Sequence, residues 1–121
     1  MKMRKSNKEQ LIMNLLNSDV EMVISIALIH VVKMPTYIIL MNWTDQGIRA
    51  AKDTLKRVED FKNAVEMSGG KMVDAYYTMG QYDLVVTVQL PNDESAMSIL
   101  LATGVLGNVR TTTLKAFSLS E

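Results

Sequence analysis

From Thr36 onward the chain switches between two hydrophobic periods. Thr36–Trp43 (TYIILMNW) is rich in β-branched and aromatic residues, with Tyr37, Ile39, Met41 and Trp43 on one face and Ile38, Leu40 and Asn42 on the other. Pro35 stands at the entrance of this strand, where a missing N–H does no harm. Ile48, Ala51, Leu55, Val58 and Val65 then recur at steps of three, four or seven, which is the helical period. Thr44 or Asp45 can cap that helix, and Ser68-Gly69-Gly70 stops it. Lys71–Met79 and Tyr82–Leu90 (YDLVVTVQL) alternate again. In the second of these, Tyr82, Leu84, Val86, Val88 and Leu90 form a wholly apolar face. Gly80-Gln81 between them makes the reversal of an antiparallel hairpin. Pro91-Asn92-Asp93 breaks the strand and starts a second helix over about Asp93–Thr103, with Ala96, Ile99, Leu100 and Thr103 in one stripe. Val109–Leu119, carrying Thr111-Thr112-Thr113, is the last strand.

The order β-α-β-β-α-β predicts an α+β fold of ferredoxin-like arrangement, a four-stranded antiparallel sheet with both helices on one face. One sheet face is then left uncovered. If the helices cover the Leu84/Val86/Val88 face, the other presents Asp83, Val85 and Thr87 with Ile38 and Leu40, too much apolar surface to leave in water. A second copy packed sheet to sheet would bury it, so a homodimer or higher homo-oligomer is expected. The alternative is the segment before Met34 folding back over it. A binding place is expected in the cleft between sheet and helices or between subunits.

Residues 1–33 read differently from residues 34–121. Met1–Gln10 is basic and polar, and Leu11–Lys33 is largely apolar. A signal peptide is opposed by Asp19 and Glu21 at the border of the apolar run and by the lack of a small-residue cleavage site after Val32. The run Met22–Ile29 is far short of the ~20 residues of a membrane span. A helical appendage and a natural start at Met34 are the other readings. No site is expected in this segment. Its His30, the chain's one histidine, lies in an apolar context that fits packing better than ligation. No membrane association is expected for residues 34–121.

The totals narrow the chemistry. The chain's 121 residues fit one domain, 48% of them are apolar, and 13 basic residues balance 13 acidic ones. No cationic field for nucleic acid is expected. Cysteine is absent, which removes disulfides, thiolate nucleophiles and cysteine-based zinc sites, and points toward the cytoplasm. From Met34 on there is no histidine, and the carboxylates are scattered, so no metal centre and no cofactor are expected. Gly104-Val105-Leu106-Gly107 lacks the Lys-Ser/Thr of a phosphate loop. Arg49/Asp53, Asp53/Arg57, Lys56/Asp60 and Lys62/Glu66 are spaced as ion pairs of a solvated helix face.

Gly80-Gln81-Tyr82-Asp83 resembles the motif of the GYD-domain family. The opening Met34-Pro35-Thr36-Tyr37, the Gly69-Gly70 before the second strand, and Val109-Arg110-Thr111-Thr112-Thr113-Leu114 match it too. The resemblance covers about residues 34–121 and implies a ferredoxin-like, dimeric α/β-barrel type of fold without bringing an activity. The same hairpin is similar to the effector-binding module of Lrp/AsnC regulators, which assembles oligomers and binds small metabolites. The upstream 33 residues are too few for a helix-turn-helix domain, so direct DNA regulation is not expected.

Three functions remain open on the sequence: an oligomeric ligand-binding module without catalysis, a metal-free dimeric-barrel enzyme of oxygenase or isomerase type acting on a small organic substrate, and a purely structural assembly. The candidate ligand-contacting residues are Gly80, Tyr82, Asp83, Trp43 and Arg110, with Asn42 and Tyr76 beside them. Each has an architectural reading as well. Gly80 supplies a positive-φ turn position, Tyr82 anchors the core, and Asp83 accepts N–H bonds within the turn.

Overall fold

The computed structural model describes residues 10, 14, 17–24 and 34–121. The chain divides into two compact units, Met1–Lys33 and Met34–Glu121. In the first, residues 17–24 are helical, as are Gln10 and Asn14, whose amides share a 3.0 Å hydrogen bond. His30 and most of the Met22–Ile29 run lie outside the described residues. Among the described residues no helix is long and apolar enough to cross a membrane.

The second unit contains β1 (Thr36–Trp43), α1 (Asp45–Arg49), a single 3₁₀ turn (Ala51–Asp53), α2 (Thr54–Met67), β2 (Lys71–Tyr77), β3 (Leu84–Gln89), α3 (Asp93–Val105) and β4 (Val109–Ala116). The strands form one antiparallel sheet in the order β2-β3-β1-β4, the ferredoxin-like topology. β1 is central because both its faces are apolar enough to be shielded. Tyr37, Ile39 and Met41 lie opposite Val88, Val86 and Leu84. These six residues are buried together with Leu90, and Phe61, Val65, Ala96 and Ile99 of the helices close the core over them. Each Val, Leu, Ile, Phe or Met among them contributes roughly 1.5–3 kcal/mol on burial. The alternate residues of β1 and β3, Ile38, Leu40, Val85 and Thr87, face the uncovered side and are half-buried.

Two elements depart from the simple periodicities. In β2 a bulge falls between Met72 and Asp74, so that Met72, Ala75 and Tyr77 stand opposite Val88, Val86 and Leu84. Strict alternation would have put Val73 on that face. The extra residue hands its place to Met72, and Val73 is half exposed. The first helix is not continuous either. It breaks at Ala50 (φ −112°, ψ 37°) and restarts as α2, which buries Thr54, Phe61 and Val65 and leaves Leu55 74% exposed. Arg57 braces the break: its guanidinium donates to Gly47 O, Ala50 O and Thr54 Oγ1 at 3.1–3.3 Å, beside the backbone N–H bonds that the two carbonyls accept from Ala50 and Asp53. Arg57 therefore does not pair with Asp53. Of the four expected charge pairs, Lys56–Asp60 closes, at 3.5 Å, on an exposed face where its contribution is small.

The helix starts are fixed locally. Thr44 Oγ1 accepts from Gly47 N–H at 3.1 Å. Gly47 must be glycine because a Cβ there would lie 1.9 Å from Asn108 O. Asn92 Oδ1 accepts from Ser95 N–H at 2.8 Å and starts α3. The first residue of α3, Asp93, is tied to the sheet: the Tyr37 hydroxyl donates to its carboxylate, and Lys115 Nζ lies 2.9 Å from Oδ1 and 3.0 Å from Oδ2. Burial, reinforced by Asp93, raises the Tyr37 hydroxyl far above the usual tyrosine range. The hydrogen bonds from Tyr37 and Lys115 hold Asp93 below its ordinary 3.8. A carboxyl depressed in the folded state contributes stability above its unfolded pKa and loses it as pH falls through the folded value. Wild type is therefore expected to exceed Asp93→Asn in stability at neutral pH, with the margin shrinking as pH falls from ~5 to ~3. Urea denaturation of both proteins across that range measures it, and a margin independent of pH would remove Asp93 from this role.

Candidate functional site

A cleft of about 300 Å³ opens between α2 and α3 at the end of the sheet nearest the β2–β3 connection. Met41, Trp43, Leu84 and Val86 floor it, and Phe61 and Ile99 flank it. Ala64 on α2 and Ala102 on α3 also line it, and their short side chains leave the room between the helices. Polar groups are confined to a few positions, chiefly Thr54, Arg57, Asp60, Ser98 and Asn108.

Trp43 is where the cleft meets the motif-bearing connection. β2 ends at Tyr77 and β3 begins at Leu84, so Thr78–Asp83 joins them, a longer reversal than Gly80-Gln81 alone. Thr78 N–H donates to Asp83 O at 2.9 Å, and Thr78 Oγ1 donates to Tyr82 O at 2.7 Å. The connection is then stitched to the end of β1. Asp83 N–H donates to Met41 O at 2.9 Å, Asp83 Oδ2 accepts from Trp43 N–H at 2.9 Å, and Asn42 Nδ2 donates to Gln81 O at 2.8 Å. Asp83 thus fixes the backbone of Trp43. The Trp43 ring tilts at 43° to that of Tyr77, with centroids 6.4 Å apart. Its indole N–H is buried without an acceptor among the described residues.

The sequence candidates do not converge on one point. Trp43 lines the cleft, and Asp83 stands directly behind it. Tyr82 is half-buried and enters the hydrogen-bond network through its carbonyl. Gly80 is at the exposed tip with φ +105°, a conformation that favours glycine, and nothing crowds the place a Cβ would take. Arg110 is exposed on the other side of the sheet, in register with Asn42, and Tyr76 shares that side opposite Val85. Of the residues that shape the cleft, Phe61 escaped sequence reading, and Ile99 and Arg57 were read only as a stripe position and a solvated charge. Arg57 looked like one member of a solvated ion pair, and only the break at Ala50 turns it toward backbone carbonyls.

The arrangement can enclose an apolar body and offers a fixed cation, Arg57, at its border. Asp60 also lines the cleft and is engaged by Lys56. Among the described residues no three His, Asp or Glu side chains stand together as a metal site. Asp83→Ala removes the acceptor of the half-buried Trp43 N–H and is expected to cost about 1–3 kcal/mol. It should also shift the emission of Trp43, the chain's one tryptophan. Urea denaturation followed by fluorescence reads both, and a wild-type spectrum and midpoint would show that the carboxylate is dispensable.

A GYD-domain family model matches residues 37–121. The glutamine synthetase and cystathionine beta-lyase binding protein of Thermus thermophilus is 28% identical over 89 residues, 73% of this chain and 94% of that protein. Two solved regulators share the fold. A feast or famine regulatory protein from M. tuberculosis, complexed with L-methionine, superposes with a TM-score of 0.55 at 15% identity over 72% of this chain and 52% of its own. An AsnC family transcriptional regulator from Agrobacterium tumefaciens gives 0.55 at 15% identity over 73% and 53%. The chain spans about half the length of these regulators.

Proposed function

The chain belongs to the GYD-domain family, and from that premise we propose that residues 34–121 form a small-molecule-binding module that assembles with copies of itself, residues 1–33 being an extension to it. The cleft carries this reading. It is an apolar space of about 300 Å³ walled by both long helices and the sheet, in a domain whose other inward-facing side chains close on one another. That volume is at the lower end of the ~300–1,000 Å³ of ligand pockets. It equals about ten waters' share of liquid volume, which suits a small organic molecule with an apolar body. The Thermus relative is named for binding two enzymes, glutamine synthetase and cystathionine beta-lyase, which supports recognition over catalysis without bearing on a small-molecule ligand.

The uncovered sheet face supports the assembly part. Ile38, Leu40 and Val85 lie on it half-buried, with Leu114 48% and Tyr76 60% exposed. A contiguous apolar face of this kind is normally covered by a partner surface.

A thermal-shift screen of aliphatic and aromatic metabolites against the full chain tests the binding part, since a ligand of the native state at ~100 Kd adds about 2.7 kcal/mol of stability. Ala102→Trp, on an exposed wall position, is expected to abolish the shift while leaving the unliganded melting temperature within a few degrees. Hits unaffected by Ala102→Trp would move the ligand out of the cleft. Light scattering on the same samples tests assembly: Leu40→Glu is expected to convert a dimer or larger species to monomer, and a monomeric wild type would overturn that part.

A further inference from the structure

Building on the ligand-binding reading of the cleft, we infer that its ligand is a small apolar carboxylic acid, with its hydrocarbon body between α2 and α3 and its carboxylate on Arg57. Apart from Arg57 and Asp60, the walls offer apolar surface and neutral polar groups. Arg57 lines the cleft and is half-buried. Among the described residues no carboxylate lies within ion-pair distance of it, for the ion pairs formed are Lys56–Asp60 and Lys115–Asp93. Its guanidinium is already immobilised by three neutral acceptors, Gly47 O, Ala50 O and Thr54 Oγ1, so little side-chain entropy remains to be lost on binding. Those bonds use Nη1 once and Nη2 twice. Of the five N–H donors of an arginine, Nε–H and one on Nη1 are left for an incoming oxygen.

The local charge balance favours a single negative charge. Asp60 also lines the cleft, but its Oδ2 faces Lys56 Nζ at 3.5 Å. Lys56, Arg57 and Asp60 therefore sum to one positive charge at the border. A monocarboxylate neutralises that charge, whereas a phosphate dianion would add repulsion from Asp60. The apolar walls reduce water's screening of the guanidinium, which strengthens its attraction for an anion. A neutral ligand of the same shape gains only the hydrophobic part.

Octanoate and octanamide separate the two contributions, because they share one chain and differ in head-group charge. Isothermal titration of the full chain is expected to give octanoate at least about tenfold tighter binding than octanamide, the worth of a charge-assisted hydrogen bond. Arg57→Gln should erase that preference, whereas Arg57→Lys should keep part of it. Ala102→Trp should weaken both compounds alike. Equal binding of octanoate and octanamide to wild type would overturn the carboxylate inference and leave the cleft reading standing. Octanoate binding that survives Ala102→Trp would overturn it by placing the acid elsewhere. Failure of octanoate to bind, with neutral compounds still shifting the melting temperature, would also overturn it. The wild-type comparison needs no substitution, so the inference is exposed to refutation even if Arg57→Gln folds poorly.

Discussion

The end of the central strand is the point through which the rest of the domain is tied. At Met41 and Trp43 the backbone of β1 both donates to and accepts from Asp83, so the β2–β3 connection cannot move without β1. The next residue, Thr44, caps α1 and takes its own N–H bond from β1's other flank, donating to Asn108 O at 3.1 Å. Gly47, one turn on, lies so close to Asn108 that no side chain fits between them. Strand end, helix start and the α3–β4 connection thus form one junction. The cleft floor, the Trp43 ring and the carbonyls that hold Arg57 all take their positions from it.

How far this was legible in the sequence depends on whether one local rule governs each element. β1 and β3 alternate without interruption, and the structure places Tyr37, Ile39, Met41, Leu84, Val86 and Val88 on the buried face that alternation implies. The α3 stripe is equally direct: Ala96 and Ile99 are buried, and Asn92 caps. β2 defeats alternation because a bulge depends on its partner strand, which no period within Lys71–Tyr77 encodes. The stretch after Thr44 defeats the helical period for a comparable reason. Ile48 and Leu55 are in phase with a continuous helix, but packing against the sheet selects Thr54, Phe61 and Val65, and the helix breaks at Ala50 to present them. The Gly-x-Tyr-Asp motif was visible as a turn, and its architectural role is well populated by hydrogen bonds. A cleft between sheet and helices was expected, but its lining was not legible, because it arises from Arg57 and Ala64 on α2 and Ala102 on α3, helices far apart in sequence.

The two sides of the sheet divide the candidate chemistry. Trp43 and Arg57 belong to the helix side, Arg110 and Tyr76 to the open side, and the strands between them are too well paired to let one ligand reach both. Charge is sparing on each side. The Tyr37–Asp93–Lys115 cluster occupies the sheet end away from Trp43, where it secures the first turn of α3 and hence one wall of the cleft from a distance. Wall position and wall chemistry are therefore set by different groups.

The bulge at Val73 has an effect on how molecules of this kind can add to one another. β2 is an edge strand, and a regular edge displays an unbroken row of donors and acceptors onto which a foreign strand can zip. The extra residue interrupts that row and throws the strand into a sharper twist, so an incoming chain loses register within a few residues. Sideways growth of the sheet into a ribbon is discouraged on that flank.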